Sequence, residues 1–315
     1  MIKVGIVGLG VVGQKRLECL SPNPDYQVTA LCDLDYEKTN CPNVKRYGHY
    51  HEFIKENLDA VFICLPNDLA RDYTQIALER NLHVFCEKPP ARSANELLPI
   101  KNYLKEDLKL KYGFNHLYHD SVEKAAEIIT SNRLGKIINL KGTYGKSFMN
   151  DWRSQKERSG GGILLDQGIH LLGIMKEFMG AHFEVKSFVS NSYWNYDVED
   201  NVYALFRDEE NKVGFLHSSA TMWEHTFNLE INLENGKVIL EGILSNSMSY
   251  APEKIKIYYR EDNTTEEFSY EKDQSWKKEI EEFSMCIIQN KKIEKGNFQD
   301  SLSLMKLVEK IYGAH

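Results

Sequence analysis

The sequence predicts an α/β chain in two parts: an N-terminal doubly wound parallel sheet, then a C-terminal α+β domain with a mostly antiparallel sheet. Three observations predict it. From Met1 to Phe114, short apolar runs alternate with helix-period segments, which is the pattern of a parallel sheet covered by helices. From about Gly135, apolar runs follow one another across short turns, as in an antiparallel sheet. The length of 315 residues suits about two domains. The boundary is expected at 117/118, giving domains of residues 1–117 and 118–315, with the last helix packing back on the first.

The first part begins with a buried strand, Lys3 to Val7, which runs into Gly8-Leu9-Gly10-Val11-Val12-Gly13. A helix pattern follows through Leu17 and Leu20, then a second strand, Val28 to Cys32, closed by Asp33. A G-x-G-x-x-G between strand and helix, with an acid about 20 residues on, is a dinucleotide cradle. Gly8 permits the tight turn, Gly10 lets backbone approach a pyrophosphate, and Gly13 lets helix and strand pack closely. The helix N-terminus, at Val11 and Val12, presents N–H groups and a positive dipole end to phosphate. Asp33 suits a ribose 2′-hydroxyl and repels a 2′-phosphate, and Leu34-Asp35 supplies no group to receive one. NAD is therefore favoured over NADP.

The alternation continues with a strand at Asp59 to Leu65, a helix at about Leu69 to Arg80, and a strand at His83 to Cys86. Ser93-Ala94-Asn95-Glu96 reads as a capping box opening a helix to about Lys105. Lys109 to Phe114 is the last strand of this part. Ligands of such sheets bind at the carboxyl ends of strands. Leu65-Pro66-Asn67, Glu87-Lys88-Pro89 and Asn115 fall there and are the remaining cofactor candidates.

In the second part a strand, Lys136 to Tyr144, leads into a loop, Gly145 to Ser159. The stretch Gly160-Gly161-Gly162-Ile163-Leu164-Leu165-Asp166-Gln167-Gly168-Ile169-His170 then opens a helix to about Met179. Residues at i and i+4 share a helix face, so Asp166 and His170 point the same way. Taken alone they read as a solvated helix face. Strand-like runs follow at Phe183 to Val189, Asn201 to Arg207, Lys212 to Ser219, Phe227 to Leu233, Lys237 to Glu241 and Ile255 to Tyr259. Asn235-Gly236 marks a hairpin.

Composition restricts function. The chain is 42% apolar and 27% charged, enough to bury a sizeable core. A net charge of -7 argues against nucleic acid as a partner. The apolar start is broken by glycines and leads into Gln14-Lys15-Arg16, unlike a signal peptide. No run approaches the ~18 apolar residues of a membrane span. The six cysteines have no C-x-x-C pairing and several lie in apolar runs, so they read as reduced core residues of a cytoplasmic protein. Histidines 49, 51, 116, 119, 217 and 225 lack acid partners at ligand spacing, and no metal site is expected.

Taken in order, the G-x-G-x-x-G, Glu87-Lys88-Pro89 and a glycine turn leading to Asp166-x-x-x-His170 resemble the glucose–fructose oxidoreductase / inositol dehydrogenase / rhizopine catabolism (Gfo/Idh/MocA) family. Tyr112-Gly113-Phe114-Asn115, Asp151-Trp152-Arg153 and closing helices at Trp276 to Gln289 and Gln299 to Tyr312 extend the likeness over the chain. The resemblance implies a Rossmann domain, a large second sheet whose open face often joins subunits as a homodimer or homotetramer, NAD(H) or NADP(H), and redox at a sugar-like carbon. It implies that Lys88 orients the reacting hydroxyl, that His170 is the acid/base, and that Asp166 holds substrate or tunes its neighbours. Asn115, Trp152 and Arg153 join Lys88, Asp166 and His170 as expected substrate contacts. The chain departs from the family at Ala70, where a His is common, and at His116-Leu117, where an Arg is common.

The chemistry of these residue types agrees. An alcohol losing hydride must also lose its hydroxyl proton, which a His suits, and a nearby cation favours the resulting oxygen anion. Lys146, Arg153, Lys156 and Arg158 form either a solvated basic loop or a site for an anionic substrate such as a nucleotide-sugar diphosphate. Tyr193, Trp194, Tyr196 and Trp223 are either core and interface or stacking groups. An NAD-dependent dehydrogenase of a sugar, nucleotide-linked rather than free, is the expectation. A free-sugar or cyclitol dehydrogenase is the alternative enzyme, and a non-catalytic NAD-binding regulator the alternative of another class.

Overall fold

The computed structural model describes residues 1–35, 41, 44–149, 151–180, 183–243 and 251–314. These divide into two units, residues 1–114 with 276–302, and residues 115–275 with 303–315.

In the first unit the elements are β1 (Ile2–Val7), α1 (Val11–Leu20), β2 (Tyr26–Cys32), β3 (Lys45–Tyr47), α2 (Tyr50–Phe53), β4 (Ala60–Ile63), α3 (Asn67–Glu79), β5 (His83–Glu87), α4 (Ala94–Leu97) and β6 (Leu110–Gly113). The strands are all parallel, in the order β3-β2-β1-β4-β5-β6. Strand order reverses between β1 and β4, which is where a doubly wound sheet opens a crevice. The loops after β1 and β4 carry Gly8 and Leu65-Pro66.

The second unit contains α5 (Asp120–Thr130), β7 (Ile137–Gly145), α6 (Lys156–Ser159), α7 (Ile169–Met179), β8 (Phe183–Ser190), β9 (Asn201–Asp208), β10 (Val213–Ser219), β11 (Thr226–Leu233), β12 (Gly236–Glu241), β13 (Glu253–Tyr259) and β14 (Thr264–Tyr270). Its sheet runs β14-β13-β12-β11-β7-β10-β9-β8. Only the β7–β10 pair is parallel among the described residues. The hairpin at Asn235-Gly236 joins β11 to β12, with Leu233 opposite Gly236.

Helix α7 lies across β7 and β10, and small residues there decide how close it comes. A Cβ on Gly142 would meet the Leu171 side chain at 2.9 Å, and one on Gly168 would meet Ser218 at 2.8 Å. Leu171, Leu172, Ile174 and Met175 are buried, with Leu171 over Gly142 and Met175 over Gly214. The opposite face of the sheet is different: Phe188, Tyr203, Leu205 and Val213 are exposed there, alternating along β9 with the buried Val202, Ala204 and Phe206.

Two further helices close the chain, α8 (Ser275–Ile288) and α9 (Phe298–Gly313). Ile280, Phe283 and Cys286 of α8 complete the core of the first unit with Val4, Ile6, Phe62 and Phe85. Phe62 and Phe85 stack at 4.9 Å, and Phe283 meets both edge-on at 5.8 and 5.6 Å. Residues 276–302 thus belong to the first unit, and the division of the chain falls inside α9.

Some elements differ from expectation. Ser93 does cap, its hydroxyl accepting from the Glu96 N–H at 3.1 Å. The α-helix it opens lasts only to Leu97 and continues as a 3₁₀ segment over Leu98–Tyr103. Pro99 supplies no N–H to an α-helical ladder and favours the tighter turn. The loop 145–159 contains a 3₁₀ turn at Asp151–Ser154 and the short α6. The stretch expected to be one α-helix from the glycines begins as a π-turn, Leu164–Gly168. No helix among the described residues is long and apolar enough to cross a membrane.

Candidate active site

In the first unit the glycine loop has the geometry of a phosphate cradle. Gly8 adopts φ +86°, a conformation open to glycine at little cost, and a Cβ there would strike the Cys64 carbonyl oxygen at 2.3 Å. A Cβ on Gly13 would lie 1.8 Å from the Gly8 oxygen. Gly10 is the reverse case: nothing lies within 4 Å of its would-be Cβ, so one side of the backbone is bare. Gly10 also precedes α1, whose N-terminus receives no side-chain cap. A bare backbone beside uncapped helix N–H groups fits a dinucleotide's pyrophosphate.

Asp33 follows β2 and lies against this loop, its Oδ2 accepting from the Leu9 N–H at 2.6 Å and its Oδ1 from the Asp35 N–H at 2.9 Å. The carboxylate is thereby fixed at the mouth of the cradle. Leu65 follows β4, Pro66 precedes α3, and Asn67 is buried as the first residue of that helix.

Glu87 ends β5 and is buried. The Arg16 Nε donates to its Oε1 at 2.7 Å, and the Arg16 Nη2 donates to Glu279 Oε2 at 2.7 Å. Arg16 has no solvent exposure, and its guanidinium carbon lies 4.4 Å from the centres of the Phe85 and Trp276 rings. Burial works against that charge, but the two carboxylates more than offset it and raise the Arg16 pKa. Burial beside Glu87, only partly countered by Arg16, pushes Glu279 up to about 7. Sequence reasoning reached Glu87 from its position and missed the Arg16–Glu279 pair entirely. The half-buried Lys88 comes next, joined to Pro89 by a cis peptide bond.

In the second unit the π-turn places Asp166 one turn before His170. Lys146 Nζ pairs with Asp166 Oδ2, and Arg153 Nε lies 3.4 Å from Oδ1. The Arg153 guanidinium also covers the Trp152 ring at 4.5 Å. Two of the four cations of the basic loop are thus engaged by Asp166. His225, between β10 and β11, has its pKa lowered by burial first and by the Lys146 charge second. This histidine belongs to the same electrostatic neighbourhood, and no spacing in the sequence marked it.

The glycine turn before Asp166 is set by packing. Gly160 takes φ +80° as it ends α6. A Cβ on Gly161 would meet the Tyr312 hydroxyl at 2.3 Å, and one on Gly162 the Glu199 carbonyl oxygen at 2.0 Å. Glu199 is buried and accepts from the N–H groups of Gly162 at 2.8 Å and Leu164 at 3.1 Å, and from the Tyr312 hydroxyl at 2.9 Å. Burial raises its pKa despite these bonds.

His170 is only 2% exposed, and its ring stacks on His116 with centroids 3.8 Å apart. Asn115 is buried and donates to the Ser275 hydroxyl at 3.1 Å. Sequence spacing does not reach the partners of one histidine. His119 does have acid partners: its Nδ1 lies 2.6 Å from Glu253 Oε1 and 3.8 Å from Asp273 Oδ1. Both lie more than a hundred residues away, outside the reach of local ligand spacing. Among the described residues all six cysteines are free thiols.

Comparison with known proteins agrees with this architecture. Residues 2–115 match the model of the oxidoreductase family with an NAD-binding Rossmann fold, and residues 122–239 match the GFO/IDH/MocA C-terminal domain. A D-xylose 1-dehydrogenase (NADP(+)) from Haloferax volcanii is 22% identical over 98% of this chain and 95% of its own. A D-glucoside 3-dehydrogenase from Escherichia coli is 26% identical over 73% of this chain and 71% of its own. A 3-ketoreductase from Actinomadura kijaniata, crystallised with NADP and TDP-benzene, has the same fold, with TM-score 0.87 at 21% identity over 99% of this chain and 97% of that one. With both of its parts matched, the chain belongs to the Gfo/Idh/MocA family of oxidoreductases, enzymes built on an NAD-binding Rossmann domain.

Proposed function

We propose that this protein transfers hydride between a nicotinamide cofactor, NAD(H) in preference to NADP(H), and a secondary alcohol or ketone of a sugar carried on a nucleotide. The observation that carries the reaction class is the second unit's acid–histidine pair: Asp166 held by Lys146 and Arg153 one turn before a His170 fixed by stacking. The nicotinamide, when bound, supplies or accepts the hydride. His170 is assigned the hydroxyl proton, and the Lys88 ammonium the support of negative charge developing on the substrate. Asp166 orients Lys146 and Arg153 toward the substrate, with Trp152 beneath the guanidinium and Asn115 a further contact.

Asp33 supports NAD(H), because a carboxylate fixed on the glycine loop disfavours a 2′-phosphate. The D-xylose relative is NADP-linked by name, so cofactor preference is a property to measure in this chain. The ketoreductase structure with TDP-benzene supports a nucleotide-linked substrate, as do Lys156 and Arg158 in α6 beside the acid–histidine pair in sequence. A free sugar or cyclitol is the second reading. It is favoured by the engagement of Lys146 and Arg153 with Asp166, which leaves less of the basic loop for a diphosphate.

The exposed apolar strip of Phe188, Tyr203, Leu205 and Val213 supports self-association through the second sheet as a homodimer or homotetramer. The free cysteines support a reducing, cytoplasmic setting.

Purified protein is tested against nucleotide sugars, free sugars and cyclitols with NAD and NADP, following nicotinamide absorbance. Turnover of a nucleotide sugar with NAD is expected, and Lys88→Ala and His170→Ala are each expected to lose ~10²-fold or more in kcat with little loss of cofactor binding. Full activity in either variant would overturn the roles. No response to any sugar would favour the regulator.

A further inference from the structure

Beneath His170, inside the second unit, lies a second imidazole that the roles above leave unused. His116 is fully buried, and its ring is close to parallel with that of His170, at 29° and 3.8 Å between centroids. Its nitrogens face two partners. Nδ1 lies 3.3 Å from Asn115 Oδ1, and Nε2 lies 3.1 Å from the Tyr144 hydroxyl. Which nitrogen carries the proton follows from a chain of bonds that starts at a carboxylate.

Asp273 Oδ1 can only accept, and the Ser275 hydroxyl donates to it at 2.5 Å. With its proton so committed, the Ser275 oxygen accepts from Asn115 Nδ2 at 3.1 Å. That fixes the amide orientation and turns the Asn115 carbonyl oxygen toward His116. A carbonyl oxygen accepts, so His116 Nδ1 must bear hydrogen. Nε2 faces the Tyr144 hydroxyl at 3.1 Å, and in the neutral form of such a ring it is the lone-pair nitrogen that accepts the Tyr144 O–H.

We propose that His116 is a positioning residue for His170: a neutral Nδ1–H imidazole, set by the Asp273–Ser275–Asn115 relay and by Tyr144, that fixes the plane of the proton-transferring ring. The proposal rests on the role given to His170 above. A flat neutral partner holds that ring without placing a second positive charge against it. A reacting group displaced by about 1 Å loses on the order of 10²-fold in rate. His116→Ala is therefore expected to lower kcat by about that factor while KM changes less than about threefold. His116→Phe keeps the flat face and is expected to restore kcat to within about threefold of wild type.

The test has two arms. Steady-state kinetics are measured on the full-length wild type, His116→Ala and His116→Phe, with melting curves to confirm folding. Ring-nitrogen chemical shifts of His116 are measured in wild type and in Ser275→Ala, which breaks the relay at the buried Ser275 hydroxyl. A wild-type His116 found as the Nδ1–H tautomer, with a mixed population in Ser275→Ala, supports the relay. A wild-type Nε2–H tautomer or an imidazolium overturns it. Unchanged kcat in folded His116→Ala, or equal losses in the Ala and Phe variants, overturns the positioning role. If His116→Ala does not fold, His116→Phe decides: a kcat loss of about 10²-fold despite the retained face refutes the proposal, and near-wild-type kcat supports it. Failure of His170 as the acid/base appears separately, as full activity in His170→Ala, and leaves the nitrogen-shift arm standing.

Discussion

Glu279 makes the stability of the first unit depend on pH in an unusual direction. Arg16 serves two buried carboxylates, and burial beside Glu87 raises Glu279 from 4.5 to about 7. Between those values the folded protein binds a proton that the unfolded chain has released. Stability from this group is therefore fully present below about pH 4.5 and is lost as pH rises to about 7. A shift of that size, at about 1.4 kcal/mol per unit, is worth about 3 kcal/mol. Glu279→Gln keeps an oxygen for Arg16 but cannot ionise. Urea unfolding followed by far-UV circular dichroism measures both proteins from about pH 5 to about pH 8. The variant is expected to match wild type near pH 5 and to gain about 3 kcal/mol on it by pH 8. A difference that stays constant across this range would show that Glu279 remains ionised throughout, and the reasoning fails.

Other perturbations probe the glycine cradle of the first unit and the acid–histidine region of the second. Asp33→Ala is expected to weaken NAD binding and to narrow the preference over NADP, read by titrating both cofactors; an unchanged ratio removes Asp33 from cofactor choice. Gly162→Ala places a Cβ 2.0 Å from the Glu199 carbonyl oxygen, and a loss of about 2 kcal/mol or more in unfolding free energy is expected. Lys146→Met takes away a charge that lowers the His225 pKa, so the His225 ring should titrate higher by nuclear magnetic resonance. No movement of His225 would separate it from the Lys146–Asp166 pair.

What the sequence disclosed, and what it concealed, divides by range of interaction. Gly8, Gly10 and Gly13 are legible because strand, turn and helix are adjacent in the chain and their steric demands are local. Ser93 and Glu96 are legible for the same reason. Pro99 acts on its own turn and is legible on the same terms. Arg16 stands out in the sequence only as part of Gln14-Lys15-Arg16, because its partner Glu279 is 263 residues away. His116 was seen as a departure from a family pattern, since its stacking on His170 exists only once α7 lies on the sheet. The π-turn at Leu164–Gly168 has no signature in an apolar run. Strand β14 escaped because it is an edge strand, exposed along nearly its whole length and without an apolar alternation.

The carboxylate pair on Arg16 also bears on how the protein is made. Chains emerge from the ribosome N-terminus first, and domains tend to fold as they appear. Here the first 114 residues contain only part of their core. Phe62 and Phe85 lack Phe283, and Arg16 lacks Glu279, until α8 has been synthesised. The nascent nucleotide-binding half must therefore wait, with an apolar surface and a cation uncovered, through the synthesis of the whole second sheet. Its completion is timed by the arrival of one late helix, and a chain interrupted before that helix would carry a cradle for phosphate on a core missing Ile280, Phe283 and Cys286.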